Sequence, residues 1–307
     1  MSGAKAATAG FAYGFSADFG YQRPKTVSEV SKILAAEPEA HLLAGGTDLL
    51  VEMRNREIKA GLLVDLKGLK ELKKIERQGD VLNIGALASI TDVLTNATVN
   101  EHLPILAQTA KVFACLEIRH RATIGGNIAH ASPGAEYGTP LVVLDATAVI
   151  EGVSGQRTVP VEQFFVGPGK SCLDRAKGEF LSALRVPIPK VPTAMQYRRY
   201  SRVKGMDLAC AAISILVKEP ASVAKREVRL ALGAVCPTPA LRKEAGALLS
   251  GKAWTPELVQ QAKEAMLQGV EPRRSSIRST PEYKKHILGV YLEDTLRAFE
   301  NPTEARS

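Results

Sequence analysis

Ile118 to Leu144 reads I-R-H-R-A-T-I-G-G-N-I-A-H-A-S-P-G-A-E-Y-G-T-P-L-V-V-L. A paired glycine, an amide, a hydroxyl, a carboxylate and two prolines make this run too irregular for a core helix. Glycine has no Cβ, so Gly125-Gly126 lets the backbone turn sharply or approach another molecule closely. Asn127 follows directly, and Ser132 and Glu136 come within the next ten positions. Such a cluster suits a bound polar molecule with hydroxyls and a phosphate. A tight turn between strands needs only the glycine and the asparagine. On these residues alone, binding and turning are both open.

His41 to Arg54, H-L-L-A-G-G-T-D-L-L-V-E-M-R, shifts the balance towards binding. An apolar run (Leu42, Leu43, Ala44) leads into Gly45-Gly46. Thr47 or Asp48 then stands as a plausible N-cap before Leu49, Leu50 and Met53 at helical spacing. Strand, glycine loop and helix start together leave unpaired amides that favour an anion. Gly45 and Gly125 lie 80 positions apart.

The pair A-G-G-T-D-L-L and T-I-G-G-N-I-A-x-A-S-P resembles the flavin-binding medium subunits of the molybdenum hydroxylases, the family of xanthine and carbon monoxide dehydrogenases. Phe19 to Pro24, Leu82 to Ala86, Gly178 to Leu181 and the pattern A-L-G-A-V-C-P-T-P-A-L-R (Ala231 to Arg242) carry the resemblance along nearly the whole chain. It implies an α+β protein: a two-lobed FAD-binding domain of the vanillyl-alcohol-oxidase (PCMH) type over residues 19–190, then a small α/β C-terminal domain over 191–302. Residues 1–18 are expected to be a flexible arm. FAD is implied as cofactor. Leu42, Leu43, Ala44, Gly45, Gly46, Thr47, Asp48 and Leu49 would wrap its diphosphate, with Thr123, Gly125, Gly126 and Asn127 as the opposing wall. Ser132, Ala135 and Glu136 align with further contact positions, although relatives usually carry aspartate where Glu136 stands. Phe113, Ala114 and Ile118 correspond to residues packing near the adenine or under the flavin. Phe180 and Leu181 match apolar positions beside the ring, and Arg198 a basic residue near the isoalloxazine. Tyr197 and Tyr200 are candidates to shield a ring face.

The resemblance further implies a subunit of a complex. A [2Fe-2S] small subunit would deliver electrons from a molybdopterin-containing large subunit, and FAD would pass them to NAD+, a quinone or oxygen. Two other readings are kept beside it: a stand-alone flavin reductase of related fold, similar to UDP-N-acetylenolpyruvoylglucosamine reductase, and a non-catalytic binding module.

Composition is that of an ordinary soluble protein. The 307 residues suffice for two cores, and 45% of them are hydrophobic. No apolar run approaches the roughly 18 residues of a membrane span, and the N-terminus has no apolar core of a secretory signal, so the cytoplasm is expected. The cysteines at 115, 172, 210 and 236 form no C-x-x-C pair and are read as small buried residues, with no cluster, zinc or disulfide framework. Histidines 41, 102, 120, 130 and 286 show no metal-ligand spacing. His120 and His130, which flank the glycine turn, are candidates to touch a ligand, with packing or hydrogen bonding the preferred reading, and no metal is assigned. The formal net charge of +8 accompanies only 5% aromatics and no nucleic-acid-reading motif, so partner contacts and attraction for a diphosphate explain it better than nucleic acid. There is no G-x-G-x-x-G. Gly167 to Ser171 imitates the end of a Walker loop, but Phe164 stands where its first glycine belongs, so the segment is read as a turn.

Pattern predicts helices at Val27 to Ala36, Pro104 to Cys115, Leu258 to Leu267 and Lys284 to Phe299. Strands are predicted at Leu62 to Asp65, Val81 to Ile84, Leu141 to Ile150, Thr158 to Val159 and Val228 to Val235, and a strand or short helix at Met206 to Val217. Pro187 to Pro192 reads as the linker, and the C-terminal part as a small sheet with helices on one side.

Overall fold

The computed structural model describes residues 19–274 and 278–300; the expected arm over residues 1–18 lies outside the described residues. The predicted helix Val27–Ala36 forms, and its cap Thr26 accepts a hydrogen bond from the Glu29 amide at 3.2 Å. Its buried face, Val30, Ser31 and Leu34, leans towards a small parallel sheet in which Leu62–Asp65 lies between Gly20–Gln22 and Ala40–Leu43. A second sheet is antiparallel, in the order Ile75–Gln78, Val81–Gly85, Phe180–Pro187, Thr147–Gly152, Gly155–Pro160. Short helices between Ile90 and Val143 pack with this sheet in one core centred on Leu82, Ile84, Ile105, Leu106, Ile124 and Ile128. A third sheet, also antiparallel, follows Pro187 to Pro192, in the order Thr193–Tyr200, Ala211–Lys218, Glu227–Gly233, Ala240–Leu241.

Three expectations change. Ile118 to Leu144 is not irregular throughout: Leu116–Arg121, Ile124–His130 and Gly138–Val143 are helices. Each has only six or seven residues, too few for a 3.6-residue period to show. The strand expected over Leu141 to Ile150 is the end of the third of these helices, a turn with Asp145 at φ +54°, and then Thr147–Gly152. Every residue from Gly138 to Val143 is buried, and an apolar run buried all round has no alternation to distinguish helix from strand. The helix expected to reach Cys115 stops at Val112.

The third sheet carries the helices of the C-terminal part on one face, as expected, and its other face docks against the preceding part. Helices Lys243–Leu249, Pro256–Leu267 and Pro281–Glu300 pack on one face through Ile213, Ile215, Val217, Leu230 and Leu288. On the other face Met195, Tyr197, Ala212, Leu216 and Ala231 join the core of the preceding part. The seam carries polar bonds as well. Buried Ser214 Oγ meets Thr139 Oγ1 at 2.8 Å, and Arg229 donates to the carbonyls of Val143 and Val142 at 3.0 and 3.2 Å. Those are carbonyls at the end of Gly138–Val143, which a cation suits. No helix among the described residues is long and apolar enough to cross a membrane.

Candidate functional site

After Leu43 the chain leaves the parallel sheet, and Gly46 takes φ +76°, a conformation that favours glycine. Helix Leu49–Arg54 follows. Asp48 stands at the N-cap position, but its side chain makes no capping bond. The amides of Gly45, Gly46, Thr47, Asp48 and Leu49 donate to no protein acceptor among the described residues. A row of unpaired N–H groups is what an anionic ligand replaces water on. Gly45 is where the two glycine elements touch: a Cβ there would lie 2.1 Å from the Arg121 carbonyl oxygen.

The second element is stitched down by three backbone bonds of 3.0 Å: Ile90 N to the Ala122 carbonyl, Ile124 N to that of Ala88, and Gly125 N to that of Ala86. Thr123 caps helix Ile124–His130 by accepting from Gly126 N at 3.0 Å. The sequence reading of this glycine pair as a loop is therefore corrected. Gly125 lies in the first turn of a helix and permits close packing, since a Cβ would stand 2.4 Å from that of Ala86. Its amide and that of Gly126 are both used within the protein. Among the described residues, the row of unpaired amides belongs to the first element, and the second supplies a packed wall.

Between them lies a cleft of about 390 Å³, within the range of small-molecule and cofactor sites. Of the residues singled out in the sequence, Leu42, Ala44 to Leu49, Phe113, Thr123, Gly125, Gly126, Asn127, Phe180 and Leu181 line it. Seven do not. Leu43 packs towards Met53, Ala60 and Leu63 instead. Ala114 and Ile118 rest against the main core. Ser132 and Ala135 build the turn behind the second helix, where the Ala135 amide donates to the Ser132 carbonyl at 2.9 Å. Asn127 ties that turn to the wall, its Oδ1 accepting from Tyr137 N at 3.2 Å.

Glu136 and Arg198 complete the seven. Glu136 is buried and paired with Arg199 at 2.8 Å, both side chains less than a tenth exposed. Burial lifts the Glu136 carboxyl to about 7 against the pull of Arg199. Arg198 faces the other way, reaching Asp294 at 3.3 Å and the Tyr291 ring, 5.7 Å to its centroid. Successive residues of a strand point to opposite faces, so Arg199, one position on, is the cation that meets the first part of the chain. Tyr197 is buried at the seam, and the Tyr200 ring meets Tyr283 at 5.2 Å; neither lines the cleft.

Charged residues that the sequence reading did not single out as site residues also line the cleft. Arg175 donates to the Pro38 carbonyl at 3.0 Å and to that of Ala40. Glu179 receives Arg157 through two bonds of 2.7 and 2.6 Å, which hold its carboxyl below the usual range. Burial, reinforced by Arg175, pushes the His41 imidazole down. Glu52 Oε1 accepts from His130 Nε2 at 2.7 Å, and both residues line the cleft. His120 instead meets Thr91 Oγ1 at 3.0 Å. No motif flags these residues, because their partners are remote in sequence. The cysteines are free, yet only Cys210 is buried; Cys115, Cys172 and Cys236 are half-buried.

This donor set fits FAD. Unpaired amides suit a diphosphate, and Leu42, Ala44, Leu87, Ala122, Phe180 and Leu181 give an apolar lining suited to a flat ring system.

Comparison with known proteins agrees. Residues 17–189 match the family model described as the FAD binding domain in molybdopterin dehydrogenase, and residues 196–299 match the CO dehydrogenase flavoprotein C-terminal domain. The chain is 35% identical over 282 residues to the carbon monoxide dehydrogenase medium chain of Hydrogenophaga pseudoflava, covering 91% of this chain and 96% of that one. It is 33% identical to the xanthine dehydrogenase FAD-binding subunit of Escherichia coli O157:H7, covering 87% and 91%. Among solved structures, carbon monoxide dehydrogenase from Hydrogenophaga pseudoflava superposes with a TM-score of 0.86 at 34% identity, over 91% of this chain and 96% of that one. Quinoline 2-oxidoreductase from Pseudomonas putida 86 gives 0.85 at 29% identity, over 92% and 98%.

Proposed function

Because the chain belongs to the FAD-binding medium subunits of the molybdenum hydroxylases, we propose that its cleft holds FAD with the diphosphate on the amides of Gly45 to Leu49. The unpaired amides, beginning at Gly45 where the first glycine element lies against the Arg121 carbonyl, carry this reading. Leu42, Ala44, Phe180 and Leu181 offer the ring an apolar lining, with Phe113 further along the cleft. Thr123, Gly125, Gly126 and Asn127 close the far wall. Ser132, Ala135 and Glu136 act from behind it, by holding that wall in place. Residues 19–190 form the FAD-binding domain and 191–302 the C-terminal domain that buttresses it.

The chemistry supplied at such a site is that of FAD, which takes electrons singly and gives them up in pairs. The chain's own residues bind and orient the cofactor and shield it from water. Electrons arrive from a [2Fe-2S] small subunit that serves a molybdopterin-containing large subunit, in the cytoplasm, and leave to NAD+, a quinone or oxygen. Relatives named as a medium chain support such a complex. The match of residues 196–299 to a flavoprotein C-terminal domain favours this over a stand-alone reductase. The test is the identity of the flavin. Denaturing the purified full chain should release FAD in stoichiometric amount, whereas FMN or no flavin would contradict the assignment.

A further inference from the structure

The two glycine elements meet twice. At the base, Gly45 lies against the backbone of Arg121 and Ala122. The second contact is between side chains. Glu52, from the helix that follows the first glycine loop, reaches His130, the last residue of the helix that holds the second glycine pair, at 2.7 Å. Both residues line the cleft, yet their side chains are 38% (His130) and 22% (Glu52) exposed, so the contact sits at its rim. The unpaired amides of Gly45 to Leu49 lie along the same cleft.

Each partner is seated independently. Met53, next to Glu52, is buried with Ala60 and Leu63, and Leu49 and Leu50 pack against that cluster. Ile124 and Ile128 anchor the other helix in the main core. The Glu52–His130 contact therefore joins two bodies with separate cores and fixes the width of the opening between them. It also offsets a charge. Glu52 presents a carboxylate to a cleft suited to an anionic diphosphate, and like charges repel more strongly where solvent is partly excluded. The imidazole of His130 engages that carboxylate at the rim.

We propose that Glu52 and His130 form a latch across the cleft that slows the release of FAD. The inference rests on FAD occupying the cleft. The two residues are positioning residues: they hold the jaws and take no part in electron transfer. A partly exposed pair of this kind has a modest effect, so removing either partner should speed FAD release about threefold to fivefold. His130→Ala should be the more damaging, because it leaves the Glu52 carboxylate facing the cofactor.

The experiment measures FAD release from the full-length flavoprotein by the rise of free-flavin fluorescence after dilution. It compares the unaltered protein with Glu52→Ala, His130→Ala and the double variant. The latch predicts faster release in both single variants and no further acceleration in the double variant, since one contact is lost in all three. Melting temperatures of the apo forms should stay close together, because the pair lies at a rim and not in a core. Release at the unaltered rate in both single variants, or effects that multiply in the double variant, would overturn the latch while leaving FAD in the cleft. An unaltered protein that holds no FAD would overturn the latch and the functional assignment together.

Discussion

Gly45 and Gly126 do different jobs, although both belong to a Gly-Gly pair. Gly45 is needed for contact between elements, because a Cβ would strike the Arg121 carbonyl oxygen at 2.1 Å. At Gly126 a Cβ would meet only the capping Thr123 Oγ1, at 2.9 Å, and the rest of a larger side chain would project into the cleft it lines. Gly126→Val should leave the protein folded but weaken FAD binding about tenfold or more, equivalent to about 1.4 kcal/mol. Titration of the apo variant with FAD, alongside its melting curve, checks this. Affinity equal to the unaltered protein would place the cofactor elsewhere.

Between elements, the turn after helix Ile124–His130 is held to the C-terminal sheet by the buried Glu136–Arg199 pair. The groups around Glu136 are Arg199, Asp48, Tyr137 and Tyr197. Burial raises its carboxyl to about 7, above the ordinary 4.5. A raised carboxyl binds its proton more tightly in the folded chain, so its contribution is complete at low pH and is lost as pH climbs towards 7. Melting temperatures of the unaltered protein and Glu136→Gln, compared at pH 5 and pH 8, should therefore move in the variant's favour at the higher pH. An unchanging gap would mean that Arg199 keeps the carboxylate charged throughout.

The local signals at this scale were legible in the sequence. Helix Val27–Ala36 and the strand–glycine–helix order at His41 to Arg54 both depend on near neighbours, so both read directly. Strand faces and remote pairs did not. Arg198 and Arg199 differ by one position, and a one-residue slip sends a side chain to the opposite face. Glu52 and His130 are separated by 78 positions, and no local pattern joins residues that far apart. Gly138–Val143 escaped because burial on every side removes the periodicity that tells helix from strand.

Across the described residues, the five-stranded sheet and the C-terminal sheet share the main core, a second core covers the other face of the C-terminal sheet, and the parallel sheet packs in two smaller clusters. That arrangement makes the C-terminal part a buttress: Tyr197, Arg199, Ser214 and Arg229 all bind or pack against the segments that carry the second glycine wall.

The central claim is that both glycine elements close on one cofactor, the first through its amides. Hydrogen exchange of the apo and FAD-loaded full chain, resolved to peptides, tests it most directly. FAD should slow exchange at Gly45 to Leu49, whose amides have no protein acceptor, and should leave the already bonded Gly125 amide little changed. Unchanged exchange at Gly45 to Leu49 in a protein that has demonstrably taken up FAD would contradict the account.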